Sequence, residues 1–168
     1  MQSMPDPDLS SFDGLLLLIG KLNYTWTNTE SLLIHLIAGL SKTDKETAVV
    51  IFLTLNTMRA RVDLVERLAK LDRIEDTERH AVLALTRDML KLSKLRNQYN
   101  HSIFAFDPDS GTASTILMRI ADRKNDIKVG KETQIDDKAL LQIETAISDL
   151  SKLNTRFWNT IREFKYPS

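Results

Sequence analysis

Between Leu40 and Asp107 the chain contains neither glycine nor proline. Tight turns draw on those two residues, so a run of this length without them favours long regular elements over short strands and corners. Its apolar residues recur three and four apart. Ile51, Leu55, Met58, Val62, Val65 and Leu68 form one stripe, and Val82, Leu85, Met89, Leu92, Leu95, Tyr99 and Ile103 form another. That is the spacing of helices that bury one face. Thr43-Asp44-Lys45-Glu46 has capping-box spacing ahead of the first stripe, and a turn near Asp72–Asp76 separates the two.

The flanks extend the pattern. From about Ser11, Leu15, Leu18, Leu22 and Trp26 begin a helix that continues through Leu33, Leu36, Ile37 and Leu40. Gly20 and the threonines around Trp26 predict a kink or break within 20–28, and Gly39 predicts a stop. Near the other end, Leu140, Ile143, Ile147, Leu150, Phe157, Ile161 and Phe164 make the most regular stripe, interrupted by Asn154 and capped by Asp136 or Asp137. Between the third and last helices Asp107–Gly111 breaks the helix, and the period falls to two. Ile116, Met118 and Ile120 alternate with Thr115, Leu117 and Arg119, and Ile127 and Val129 alternate again after the turn Asp122–Asp126. The expected fold is all-α: an antiparallel four-helix bundle with a β-hairpin insertion between helices three and four. Residues 1–10 are expected to be a flexible lead-in and 11–168 a single helical domain.

Composition narrows the chemistry. With 42% hydrophobic and 27% charged residues, the chain is ordinary for a globular protein. It has no cysteine, which excludes disulfides and thiolate metal sites. His35, His80 and His101 share no metal-binding spacing, so no metal and no cofactor are expected. The five glycines form neither a P-loop nor a dinucleotide-binding turn. A formal net charge of zero argues against a broadly basic nucleic-acid scaffold but leaves room for a local basic face. No apolar run is long enough to span a bilayer, and the N-terminus is acidic where a secretory signal would be basic. The expectation is a cytoplasmic protein without a membrane partner.

One grouping carries candidate chemistry. Lys94-Leu95-Arg96-Asn97-Gln98-Tyr99-Asn100-His101 closes the third helix. Arginine presents a planar fork of donors to phosphate, histidine exchanges protons near neutral pH, and Asn97 can orient either group. Lys91 and Lys94 make the same helix end basic, as an RNA backbone would favour. On a regular helix Arg96 and His101 lie about 140° apart, so two copies facing each other across a two-fold axis would make a more compact site than one. Elsewhere, His35, His80, Trp26 and Trp158 read as structural, and the charged run from Arg59 and Arg61 to Asp72 and Arg73 as a solvated helix surface. Glu30, on the face of Trp26, is placed to pair with Arg96.

The R-x-x-x-x-H spacing of Arg96 and His101, with polar Asn97 after the arginine, sits near the end of the third of four helices. Together with the helical pattern from about Ser11 to Lys165 and the Trp26/Glu30 pair, it resembles the HEPN superfamily. The sequence departs from many members at Ser102, where they carry a small glycine-like residue after the histidine. The resemblance implies a homodimer with its motifs juxtaposed, and in active members a metal-independent endoribonuclease, often a toxin or defence protein. Arg96 and His101 would then be the catalytic pair, Asn97 their support and Lys91 and Lys94 RNA contacts, with an antitoxin or other protein as a further partner. Members without catalysis serve as binding modules for protein, nucleotide or RNA, and this remains the alternative expectation.

Overall fold

In the computed structural model, which describes residues 12–122 and 124–168, six helices and five short strands follow one another. They are α1 (Phe12–Glu30), α2 (Leu33–Ser41), α3 (Lys45–Thr54), α4 (Met58–Ala69) and α5 (Asp76–Asn100), then β1 (Ser102–Asp107), β2 (Thr112–Leu117), β3 (Ile120–Asp122), β4 (Ile127–Val129) and β5 (Glu132–Gln134), and finally α6 (Asp137–Glu163). The chain is mostly helical, and a small antiparallel sheet stands between α5 and α6, where a β-hairpin was expected. The expected lead-in lies outside the described residues. Among the described residues no helix is long and apolar enough to cross a membrane.

Two of the four expected helices divide. The first runs unbroken past Gly20 and the threonines and breaks later. There the amides of Leu32, Ile34 and His35 reach carbonyls three residues back, and the Ser31 hydroxyl donates to the Asn28 carbonyl. This tightened turn re-aims the helix without glycine. Gly39 lies inside α2 rather than ending it. Lys42 takes the left-handed conformation (φ 58°) and closes the helix through the Ala38 and Gly39 carbonyls. The second expected helix divides at Leu55-Asn56-Thr57. Asp44 caps α3 by accepting from the Thr47 amide at 2.7 Å, and Thr57 caps α4 by accepting from the Ala60 amide at 3.1 Å.

The described chain packs as two compact units. The first holds the chain up to Tyr24 together with Ser93–Ile147. Its buried side chains include Leu15, Leu18, Ile19, Leu22, Tyr99, Thr115, Ile143 and Ala146. The sheet in this unit is larger than a hairpin. β1, β2 and β5 form a three-stranded antiparallel sheet in the order β1-β2-β5, and β3 pairs β4 separately. The β1–β2 register runs from Ser102↔Leu117 to Asp107↔Thr112. Ile103 is therefore a strand residue and not the end of the helical stripe. The β1–β2 turn is made by Asp107, which accepts from the Asp109 amide and the Ser110 hydroxyl, and by Gly111 at φ 67°.

The second unit holds Thr25–Leu92 and Ser148–Ser168. Trp26, Leu33, Leu36, Ile37, Val62, Val65, Leu85, Met89, Leu150 and Phe157 are buried in it. Asn154, the interruption in the last stripe, donates to the buried Thr29 hydroxyl at 3.2 Å. Buried His35 lies 2.7 Å from the Pro167 carbonyl through Nδ1 and its ring faces Trp158, so both read as structural here. A side chain at Gly39 would run into the ring of Tyr166, whose hydroxyl donates to Glu78 at 2.6 Å.

Glu30 does not pair with Arg96. It accepts from Nε1 of Trp26 and from Nη1 of Arg61, each at 2.8 Å. Arg61 is no surface charge. Its side chain is 18% exposed, its Nε donates to the Phe52 and Leu55 carbonyls, and its guanidinium sits 3.9 Å above the Phe52 ring. Those carbonyls are the orphan acceptors at the end of α3, so one partly buried cation closes that helix and holds Glu30.

Candidate functional site

The last turn of α5 divides its polar residues between two faces. On one, Arg96 is half-buried. Hydrogen-bond complementarity orients the Asn100 amide so that its oxygen accepts from Arg96 Nε at 3.0 Å and Nη2 at 2.9 Å, while its nitrogen donates to Asn23 Oδ1 at 2.7 Å. Arg96 Nη1 donates to Asn97 Oδ1 at 3.2 Å, and Asn23 donates onward to the Ile19 carbonyl. The guanidinium is thus oriented by asparagines from α1 and from its own helix.

On the other face Lys94, Asn97, Gln98 and His101 line one wall of a groove of about 590 Å³. His101 follows the final helical residue, and its amide still donates to the Asn97 carbonyl at 3.1 Å. Its own carbonyl accepts from the Met118 amide at 2.8 Å, which fastens the helix end to the corner after β2. The opposite wall comes from the sheet, with Thr115, Leu117, Met118 and Arg119 on or just after β2 and Lys131 and Thr133 on the returning arm. Backbone pairing holds that wall: Leu117 donates to the Lys131 carbonyl and Gly130 to the Arg119 carbonyl, each at 3.1 Å. Gly130 is needed here. Its φ is +70°, and a Cβ would stand 3.2 Å from Ile116 Cγ2.

No family model, curated protein or solved structure matches this chain. What the groove can do follows from its own chemistry. Lys94, His101, Arg119 and Lys131 give it three cations and an imidazole, and among the described residues no aspartate or glutamate lines it. Five neutral hydrogen-bonding side chains stand among them (Asn97, Gln98, Ser102, Thr115 and Thr133), and Leu117 and Met118 add apolar surface. Its size falls within the ~300–1,000 Å³ typical of small-ligand sites. A concave wall of cations with neutral donors suits a phosphate-bearing ligand. Among the described residues no group of three or more His, Asp or Glu is arranged to hold a metal ion.

Of the residues singled out in the sequence, the groove gathers Lys94, Asn97 and His101. Arg96 is not in its lining; it faces Asn23 and Asn100, and Asn97 is the side chain that touches both Arg96 and the groove. Lys91 stands 3.6 Å from Asp88 and does not line the groove. Tyr99, inside the motif, is buried, and burial with the nearby Asp136 charge pushes its hydroxyl above the ordinary tyrosine range. Sequence reasoning missed Arg119, Lys131 and Met118. Their signal was the hairpin itself, since pairing Ile120 with Val129 brings the residues flanking both arms together.

Proposed function

We propose that this protein is a HEPN-like, metal-independent endoribonuclease of the toxin or defence type, acting as a homodimer. In this reading its helices form the antiparallel four-helix bundle of that superfamily, with the sheet as an insertion. The observation that carries it is the groove in which His101 stands among Lys94, Arg119 and Lys131, with no carboxylate in the lining among the described residues. The cations bind consecutive phosphates. His101 takes the proton from a ribose 2′-hydroxyl, whose oxygen attacks the adjacent phosphorus while the 5′-oxygen of the next nucleotide leaves and takes a proton from water, giving a 2′,3′-cyclic phosphate and a 5′-hydroxyl. Because Arg96 is held on Asn97 and Asn100 and does not line the groove that contains His101, the arginine that steadies the phosphorane charge comes from the second copy.

A second reading is a module that binds RNA or another phosphate-bearing partner without cutting it. It is favoured by the bonds that hold Arg96 onto Asn97 and Asn100. The deciding experiment is cleavage of labelled RNA by purified protein in EDTA, with His101→Ala and Arg96→Ala beside it. Cyclic phosphate ends made by the wild type and lost in both variants support the nuclease. Binding without cleavage by a folded dimer supports the module, and activity surviving in His101→Ala overturns the assigned role of the histidine.

A further inference from the structure

The sheet wall of the groove contains a feature that phosphate binding alone does not use. Met118 occupies the corner between β2 and β3 and is 69% exposed, although it lines a concave site beside half-buried Leu117. Its position is fixed by backbone: its amide is bonded to the His101 carbonyl, and the next residue, Arg119, donates its amide back to Leu117. An apolar, polarisable side chain is therefore held next to the histidine, with cations Arg119 and Lys131 on either arm of the same corner. An exposed methionine between two cations gives nothing to a phosphate, whereas the flat face of a nucleobase gains dispersion and loses water against it.

We infer that this corner is a nucleotide subsite: Met118 and Leu117 seat one unstacked base, and Arg119 and Lys131 hold the phosphates flanking it. The inference rests on the RNA reading of the same groove and assigns to the sheet insertion the task of gripping substrate. A base seated there places its ribose beside the helix end, where the side chain of His101 enters the groove. Seating requires the base to leave its stack, so the subsite selects unpaired nucleotides. Neither the helical stripes nor the R-x-x-x-x-H spacing carries this assignment. It comes from Met118 and from the backbone pairing of Leu117 with Lys131 and of Arg119 with Gly130.

The test is fluorescence anisotropy with a labelled short oligoribonucleotide and an abasic strand of equal length and charge. Wild type is expected to bind the base-bearing strand roughly tenfold more tightly, the scale of covering one face of a base with apolar side chains. Met118→Ser should bind both strands alike, and Met118→Leu should keep the preference. Replacing Arg119 and Lys131 together with alanine should weaken both strands equally. Equal binding of the two strands by wild type overturns the subsite and leaves the RNA reading standing. A preference that survives Met118→Ser overturns the role of Met118. If neither strand binds, the RNA reading fails and the subsite falls with it.

Discussion

Glu30 and Arg61, thirty-one positions apart, meet through a 2.8 Å ion pair whose members are 12% and 18% exposed. The same arginine closes the end of α3 through two carbonyls, so its removal strands a partly buried carboxylate and two acceptors together. Arg61→Ala is expected to cost about 3 kcal/mol and lower Tm by roughly 10 °C. Arg61→Lys should recover little, since an ammonium cannot reach both carbonyls and Glu30 in one plane. Thermal denaturation followed by circular dichroism checks both, and a Tm within a degree or two of wild type would refute the buried-cap account.

Gly39→Ala should be destabilising, against the usual sign. Within a helix that change ordinarily gains up to about 1 kcal/mol. Here the added methyl meets the Tyr166 ring, and overpacking is expected to outweigh the gain, for a net loss of about 1–3 kcal/mol. In a Tyr166→Leu background the same substitution should become neutral or favourable. A double-mutant cycle by chemical denaturation reads the coupling directly.

Burial, with the Glu78 hydrogen bond and charge added, raises the Tyr166 hydroxyl far above its ordinary value of 10.0. The folded state therefore keeps the proton that the unfolded chain releases. Its contribution is whole below about pH 10 and is lost as pH rises beyond it, because only the unfolded chain ionises there. Denaturation midpoints measured on both sides of that pH should fall more steeply for wild type than for Tyr166→Phe. Parallel declines would show that Tyr166 is not the titrating group.

Salt dependence tests the groove. Lys94→Ala, Arg119→Ala and Lys131→Ala should each weaken RNA binding whatever its sequence and lower the slope of log K against log salt by about 1. Lys91→Ala, outside the groove, should leave the slope unchanged. The reverse ranking would move the binding face toward the preceding turn of α5.

The sequence made some of this legible and concealed the rest for physical reasons. The α6 stripe was readable because burial and periodicity agree at Ile143, Leu150, Phe157 and Ile161. Ile103 misled because it lies four residues beyond Tyr99, while the change from α5 to β1 takes place at His101 without a glycine or proline to announce it. The break at Ser31 is made by hydroxyls and three-residue bonds, which a composition rule for helix breakers does not detect. Arg61 was hidden in a run of mixed charges, since its burial is set by distant partners. Half of the groove was legible, as Lys94, Asn97 and His101 share one helix end. The other half comes from strand pairing between residues far apart in the chain.

The joint between α5 and β1 is a single residue, and both main-chain groups of that residue are engaged, its amide with Asn97 and its carbonyl with Met118. Its address in space is therefore written in backbone alone. Whatever side chain stands at position 101 is delivered to the same mouth of the groove. Exchanging the imidazole for a glutamine, a tyrosine or an alanine would alter the reagent and leave the vessel as it was. In the ribonuclease reading proposed above, one codon then separates cutting the ligand from merely holding it, without renegotiating the architecture.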